Sequence, residues 1–381
     1  MNSIYFNNDH DELRNIIRKF IENKMVPYEE KWEEEGIFPI EIIQELGELG
    51  FLGIKYPEKY EGLNLDYFSN VVFIEELGRT FGGASLSIFT HIDIASNIIY
   101  LSGNEEQKEK FLIPSIKGKM LGALAITEPD YGSDVSGIKT KAEENGDFYI
   151  INGSKTYITN GSRADYIVLA AKTNSKLEHK GISLFILETK NLDGFKIGKK
   201  LNKLGNRASD TTELFFDNVK VHKNNLLGEK DKGFYEIMKN FQGERLGAAI
   251  MSYSMAEKVW EDAYRYTKER KVFGKPISNF QINAHKLVDM YTEIQASKQL
   301  ALNACWLYSK GFDCLKEVSM AKLNCAEMSF KVINQALQLY GGAGYIMEYS
   351  VQRALRDSRL LTIAGGTSEI MKEIIAKKLS I

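Results

Sequence analysis

A carboxylate with catalytic potential, that of Glu244, lies in the segment from Asn240 to Met251. This segment stands where turn-rich, strand-like sequence gives way to a long helical run. At helical spacing Glu244 shares a face with the small residues Gly247 and Ala248. On such a face a flat ligand could lie close to the backbone with one carboxylate pointing at it. The alternative interpretation is a water-exposed carboxylate in the first turn of a helix, where it complements the helix dipole.

A second segment with chemical potential runs from Leu124 to Asp134. It offers backbone amides and the hydroxyls of Thr127 and Ser133 within a short, turn-prone span. Such groups can form hydrogen bonds with the heteroatom edge of a flat cofactor. The alternative is an ordinary loop with Asx turns.

Metal and nucleophile motifs are missing from the sequence. The five histidines are scattered, so we predict no metal site. Neither a GxSxG nor a GxGxxG pattern occurs. The three cysteines have no CxxC spacing, which indicates reduced packing residues of a cytoplasmic protein.

The composition narrows the class of protein. A length of 381 residues suggests two or three domains, and 44% hydrophobic with 26% charged residues is typical of a soluble globular protein. The net charge of -2 argues against a nucleic acid or an anionic membrane as the main partner. The N-terminus, Met1–Tyr5, has neither a basic start nor an apolar run, so no secretory signal is expected. We also predict no membrane-spanning segment.

The order of patterns along the chain is helices, strands, helices. Residues 1–120 form a predicted helical domain, with a short helix that Asn104 caps and that ends before Pro114. Residues 121–230 form a predicted middle β-domain, and residues 231–381 a helical bundle.

The middle region combines turn signals with β-branched and aromatic runs, which favours an antiparallel barrel or sandwich. The predicted turns are Asn145-Gly146, Asn152-Gly153 and Asn160-Gly161. The predicted strands are Phe148–Ile151, Tyr166–Ala171, Ile182–Leu187 and Thr212–Val221. In the C-terminal region, helices are predicted over His285–Ser309 and Val318–Tyr340.

Several of these segments together resemble one known family. Leu124–Asp134 resembles the flavin-binding signature of the acyl-CoA dehydrogenases, and Leu339–Tyr345 resembles their second signature. Further segments that resemble family motifs, in family order, are Tyr157–Gly161, Leu204–Ser209, Glu269–Lys275 and Gly365–Ile370. The resemblance covers essentially the whole chain. It implies an α+β fold with an N-terminal helical domain, a middle β-barrel or sandwich and a C-terminal four-helix bundle.

The resemblance also implies a chemistry. Members bind FAD non-covalently and form an α,β-double bond in an acyl thioester. A base removes the α-proton while a hydride leaves the β-carbon for flavin N5. The carboxylate therefore needs a raised pKa, and the developing enolate needs hydrogen-bond donors at the thioester oxygen. The implied partners are acyl-CoA, electron-transferring flavoprotein and three further copies of the chain in a homotetramer.

The resemblance assigns cofactor contacts to particular residues. It places the flavin ring against Leu124, Ile126, Thr127 and Ser133, with Tyr157 and Thr159 against its other parts. It places the pyrophosphate and adenosine half, shared with a neighbouring subunit, against Arg270, Phe273, Gln281, Gln338 and Gly342. It places Thr367 and Glu369 beside the flavin near the C-terminal helix.

The sequence departs from the common family pattern at the catalytic position. Most members have the catalytic glutamate where this chain has Gly365. A minority that resembles the long-chain and isovaleryl-type enzymes place it in a Glu-Arg-Leu pattern, which Glu244-Arg245-Leu246 matches. Glu244 is therefore the predicted base, and the Gly365 amide is predicted to contact the thioester oxygen. Arg245, Gln242 and Ser133 are further predicted substrate contacts.

Alternatives stay open at this point. The substrate could be an acyl or aminoacyl thioester on a carrier protein, or electrons could pass to oxygen as in an acyl-CoA oxidase. A third alternative is not an enzyme: a non-catalytic homologue that acts as an assembly subunit. The small residues at positions 364 and 365 would admit a branched acyl group, unless Glu244 itself fills that volume.

Overall fold

The computed structural model describes residues 4–381, so the first three residues of the predicted N-terminal domain lie outside the described part. The predicted order of helices, strands and helices is confirmed. The N-terminal helices are α1 (Asn8–Lys24), α2 (Glu29–Glu35), α3 (Glu41–Glu48), α4 (Tyr67–Leu77), α5 (Ala84–Phe89), α6 (Ser96–Ser102), α7 (Glu105–Gln107) and α8 (Ile113–Ile116).

One N-terminal prediction is wrong. Asn104 does cap α7, since its side chain accepts a hydrogen bond from the Gln107 amide at 2.8 Å. The helical path nevertheless continues past Pro114 to Ile116. A π-helical turn over Lys108–Leu112 precedes α8, and proline lies at the start of that helix, where its missing N–H is not needed.

The segment Ala84–Ser102 is long and apolar enough to cross a membrane by length and composition, contrary to the sequence-based expectation. It contains α5, a π-helical turn over Thr90–Ala95, and α6. Within the protein 83% of its most apolar window is buried. Its apolar character is thus that of a core helix packed against the middle β-domain and the long C-terminal helix.

The middle β-domain is one eight-stranded sheet. Its order is β6-β7-β3-β2-β4-β5-β8, with β1 parallel to β4. The strands are β1 (Gly122–Ala125), β2 (Lys141–Asn145), β3 (Phe148–Thr159), β4 (Tyr166–Lys172), β5 (Ile182–Glu188), β6 (Phe195–Lys200), β7 (Thr211–His222) and β8 (Leu226–Leu227). The predicted strands are confirmed, but β1 and β4 run parallel because the β2–β3 hairpin stands between them in the chain.

The predicted turn at Asn152-Gly153 is wrong. Both residues lie inside β3, where the pairing with β7 shifts register between Ile151 and Gly153. Gly153 has a φ of 149° at this irregularity. An Asn-Gly pair thus marks a β-bulge here rather than the end of a strand.

The C-terminal region is helical and includes a small hairpin. Its elements are α9 (Gly233–Glu269), β9 (Lys271–Val272), β10 (Lys275–Pro276), α10 (Gln281–Ser309), α11 (Leu315–Tyr340), α12 (Ser350–Ser358) and α13 (Ser368–Leu379). The long helices α9, α10 and α11 pack on one another around a core that contains the buried, unpaired Cys305 and Cys325. This bundle also covers α4, so the α9 surface that bears Glu244 meets the N-terminal domain.

Candidate active site

Glu244 lies inside α9, about three turns after the helix begins at Gly233. The interpretation as a water-exposed first-turn carboxylate is therefore wrong. Its Oε2 is shielded from solvent and makes no hydrogen bond within residues 4–381. A shielded carboxylate oxygen without a partner is costly, which points to a proton or a substrate as its missing partner.

The surroundings of Glu244 suit a general base. Burial raises the pKa of its carboxyl to about 7, and the positive charges of Arg245 and Lys322 hold back part of that rise. Within residues 4–381, neither Arg245 nor Lys322 forms an ion pair with Glu244 at 4 Å or less. A base whose pKa lies near the working pH is in the range where proton transfer is efficient.

The double glycine Gly365-Gly366 closes one side of this carboxylate. A Cβ at Gly365 would lie 3.3 Å from Glu244 Oε1. Both glycines have positive φ, 67° and 95°, a region that L-residues with side chains seldom adopt. The volume left by the missing side chain at position 365 is therefore filled by Glu244, which leaves the branched-substrate idea without support from this space.

Two cations hold the double glycine in place. Arg245 Nε donates to the Gly365 carbonyl at 3.4 Å, and Lys322 Nζ donates to the Gly366 carbonyl. Lys322 is fully buried on α11, and its pKa is lowered to about 8 by burial and by the charge of Arg245. Sequence reasoning missed Lys322, although its position between Val318 and Cys325 places a lysine on the buried face of a helix.

The predicted flavin-ring residues gather along β1 and β3. The Thr156 amide donates to the Thr127 carbonyl at 2.9 Å, which joins the loop after β1 to β3. The buried Lys155 Nζ donates to the Ile126 carbonyl and to Glu128, both at 2.8 Å. This ion pair, which the sequence reasoning also missed, fixes the loop's backbone.

Tyr157 presents an aromatic ring off the sheet surface. Its φ is 59°, it lies in a register shift between β3 and β7, and it is 67% exposed. Thr159 is half-buried nearby on β3, and Ser133 is exposed on the loop after β1. An exposed aromatic ring with the hydroxyls of Thr159 and Ser133 suits a flat group with a polar edge, such as the ring of FAD.

The predicted adenosine-side residues form a separate group. Arg270, Phe273 and Gln281 lie on the β9–β10 hairpin and the start of α10, and Phe273 is 95% exposed. Gln338 is exposed near the end of α11, followed by Gly342, where a Cβ would meet nothing within 4 Å. Within residues 4–381 no hydrogen bond, ion pair or ring contact joins this group to the flavin-ring group. Such an open surface fits the outer half of FAD against a second protein surface.

The remaining predicted residues lie around Gly365. Thr367 is the N-cap of α13 and accepts a hydrogen bond from the Ile370 amide at 3.2 Å, while Glu369 is exposed in the first turn. Gln242 is half-buried on α9, two residues before Glu244. The structure thus brings Glu244, Arg245, Gly365 and Thr367 together and leaves Ser133 on the flavin side.

Models of three acyl-CoA dehydrogenase domains match the chain: the N-terminal domain at residues 7–119, the middle domain at 123–219 and the C-terminal domain at 231–380. The chain belongs to the acyl-CoA dehydrogenase family, which is a family of FAD-dependent oxidoreductases that act on CH–CH groups. The predicted family and fold class are confirmed. The boundaries placed after residues 120 and 230 stay predictions.

Curated relatives span nearly the whole chain. A 3-(aryl)acrylate reductase of Clostridium sporogenes is 38% identical over 99% of this chain and 100% of its own length. The caffeyl-CoA reductase-Etf complex subunit CarC of Acetobacterium woodii is 40% identical over 98% of both chains. The mitochondrial long-chain specific acyl-CoA dehydrogenase of Rattus norvegicus is 39% identical over 98% of this chain and 87% of its own.

Solved structures agree with this placement. An acyl-CoA dehydrogenase of Geobacillus kaustophilus superposes with a TM-score of 0.96 at 42% identity, with 100% of both chains covered. The prolyl acyl carrier protein oxidase AnaB superposes with a TM-score of 0.95 at 31% identity over 99% of this chain and 100% of its own.

Proposed function

We propose that this protein oxidises an acyl-CoA to its α,β-unsaturated thioester with Glu244 as the general base. One observation supports this assignment above the others. The single carboxylate against the double glycine is shielded from water, lacks a partner for Oε2 and has a pKa raised to about 7.

Residues of this chain remove the α-proton of the substrate and stabilise the charge that develops. Oε2 of Glu244 takes the α-proton, and the C–H electrons become part of the new double bond. The backbone N–H of Gly365 is the proposed donor to the thioester oxygen, and it stabilises the negative charge that develops there. Lys322 and Arg245 fix the two glycine carbonyls, so that this N–H keeps its direction. Bound FAD supplies the acceptor for the hydride that leaves the β-carbon.

The proposed cofactor site has two halves. Leu124, Ile126 and Thr127 bind the flavin ring, together with Ser133, Tyr157 and Thr159, and Thr367 and Glu369 approach it from α13. The adenosine half meets Arg270, Phe273, Gln281, Gln338 and Gly342 of another subunit. The near-complete exposure of Phe273 supports this division, since an apolar ring at the tip of a hairpin is stabilised by a partner surface.

We propose a homotetramer that passes electrons to electron-transferring flavoprotein in the cytoplasm. Apolar side chains that are exposed on α10, Ile282 at 65% and Val288 at 63%, support an interface between copies. A relative named as a subunit of an Etf complex supports the electron acceptor. The unpaired, buried cysteines are in keeping with a reducing compartment.

A carrier-protein thioester is the second candidate substrate. The likeness to AnaB, a prolyl acyl carrier protein oxidase, favours it. Purified protein that bleaches its flavin with a phosphopantetheinyl-carrier thioester but not with free acyl-CoAs would establish this alternative.

An anaerobic titration tests the main proposal. Purified protein is mixed with straight-chain, branched and aryl acyl-CoAs in the absence of oxygen, and flavin bleaching is followed for each. We expect bleaching by at least one free acyl-CoA, with peroxide absent when air is readmitted during turnover. A preparation without flavin absorbance, or with flavin that no thioester bleaches, would contradict the proposal.

A further inference from the structure

Open space adjoins the proposed base on its α10 side. Gly243 immediately precedes Glu244 on α9, and a Cβ at Gly243 would meet a single atom within 4 Å, the hydroxyl oxygen of Tyr308 at 3.5 Å. A helix-interior glycine costs stability relative to alanine, so its presence is informative where it leaves room. The space beside the base is therefore bounded by a tyrosine hydroxyl.

That hydroxyl belongs to a tyrosine pair without hydrogen-bond partners. The rings of Tyr308 and Tyr67 lie 5.1 Å apart at an angle of 53°. Neither hydroxyl makes a hydrogen bond within the described part of the chain, whereas the buried hydroxyls of Tyr56, Tyr166 and Tyr253 all do. Burial raises the pKa of both Tyr67 and Tyr308, so both hydroxyls stay protonated and can donate.

A buried carboxylate lies near the same pair. Asp93, 4% exposed, accepts from Lys55 Nζ at 2.5 Å and from Asn70 Nδ2 at 3.1 Å through Oδ1. Its Oδ2 is shielded and has no partner in residues 4–381. Burial is the largest cause of the raised pKa of both tyrosines, and the charge of Asp93 is among the smaller causes. The hydroxyl donors of Tyr67 and Tyr308 thus lie near an unused acceptor, Oδ2 of Asp93. A ligand hydroxyl group can accept from such a donor and donate to such an acceptor at the same time.

We propose that this end of the acyl site binds a tail that bears a hydroxyl group, with Tyr308 as the specificity-determining residue. The inference rests on the proposed function, because it assumes that the thioester lies at Glu244. The negative charge of Asp93 would repel a carboxylate tail. The positive charge of Lys55, which pairs with Asp93, would repel an ammonium tail. A neutral hydroxyl, phenolic or aliphatic, can accept from a tyrosine and donate to a carboxylate without either conflict.

Matched thioester pairs test this specificity. 3-(4-Hydroxyphenyl)propionyl-CoA is compared with 3-phenylpropionyl-CoA, and 6-hydroxyhexanoyl-CoA with hexanoyl-CoA, by the rate of anaerobic flavin bleaching at low substrate. In the wild-type protein we expect the hydroxylated member of at least one pair to react about five- to tenfold faster, the value of one hydrogen bond. The pair that shows the preference tells whether the hydroxyl is phenolic or aliphatic.

Tyr308→Phe removes the hydroxyl and little else. It should bring the ratio of the rates within the pair, hydroxylated over unhydroxylated, to about one. Tyr28→Phe, at a half-exposed tyrosine that stacks on Trp32, is the matched control and should leave the preference intact. Gly243→Ala adds a methyl group at ordinary contact distance from Tyr308, so the helix should tolerate it while the larger aryl thioesters lose rate most.

The outcomes separate the inference from the proposed function. Equal rates within both pairs, or a preference that survives in Tyr308→Phe, would overturn the hydroxyl site and leave the dehydrogenase in place. Flavin that no thioester reduces would overturn both.

Discussion

The carboxylate of Glu244 occupies the space that a side chain at position 365 would need. A Cβ on Gly365 would stand 3.3 Å from Oε1 of Glu244, although Glu244 lies on α9 and Gly365 lies far along the chain in the loop before α13. A base on α9 and a side chain at position 365 are therefore alternatives for one volume. This contact gives a physical reason why a chain with glycine at position 365 can place its base on α9.

Glu244→Gln should abolish turnover and preserve the fold. Glutamine has nearly the same shape but accepts no proton at working pH, so flavin reduction by acyl-CoA should fall on the order of a hundred- to ten-thousand-fold. Flavin content and thioester binding should be retained. The exposed Glu143 on β2 provides a control, since Glu143→Gln should react at the wild-type rate. Near wild-type flavin reduction in Glu244→Gln would remove Glu244 from the mechanism.

A relocated base tests the shared volume. In Glu244→Ala the space beside position 365 is emptied, and adding Gly365→Glu brings a carboxylate to the same pocket from the other wall. We expect partial recovery of flavin reduction, and a lower melting temperature because a side chain at a φ of 67° costs about 1–2 kcal/mol. Glu244→Ala with Gly365→Gln is the control that matches size without a base. Equal activity of these two double variants would show that position 365 does not reach the α-proton.

The sequence predicted what local patterns determine. Strands such as Tyr166–Ala171 and helices such as Val318–Tyr340 follow from side-chain periodicity and turn residues, and the structure confirms them. The breaks at Pro114 and Asn152-Gly153 were misjudged because a π-helical turn and a β-bulge absorb these residues. Both depend on neighbours beyond the local sequence.

Residues that act through distant partners were missed. Lysine is mostly an exposed residue type, yet Lys322 and Lys155 are both fully buried. Lys322 reaches a carbonyl on the loop before α13, and Lys155 pairs with Glu128 on the loop after β1. Only the tertiary fold brings such pairs together, whereas Glu244 was recognised because its motif is local.

The pH dependence of stability should reveal the buried carboxyl. Burial raises the pKa of Glu244 from 4.5 to about 7, so between these values the folded protein holds a proton that the unfolded chain releases. This contribution to stability is fully present below about pH 4.5, the unfolded pKa, and is lost progressively as the pH rises to the folded pKa of about 7. The melting temperature of Glu244→Gln, relative to that of the wild type, should therefore rise as the pH is raised from about 5 to about 8.5. A difference that stays constant over this range would contradict a raised pKa.

Lys322 should act as a positioning residue that tunes the base. Its charge lowers the pKa of Glu244 after burial has raised it. Lys322→Gln keeps a donor for the Gly366 carbonyl but removes the charge, so the pH at which flavin reduction is half-maximal should rise by about one unit. Lys331→Gln, at an exposed lysine on the same helix paired with Glu293, should leave the midpoint unchanged. A slower reaction with an unmoved midpoint would show that Lys322 only supports the fold.

Arg270 should couple flavin retention to assembly. If the adenosine half of FAD lies between subunits, Arg270→Ala should lose flavin on dilution and dissociate at higher protein concentration than wild type. A cofactor that binds only the assembled form stabilises it by mass action, so added FAD should raise the melting temperature and restore the oligomer together. Arg265→Ala is the matched control, because Arg265 is 70% exposed on α9, which ends just before Arg270, and contacts Asp262 only at 3.8 Å. Flavin absorbance after gel filtration and sedimentation velocity at several concentrations measure the two effects. Full flavin content with an unchanged oligomer in Arg270→Ala would place the adenosine site within one subunit.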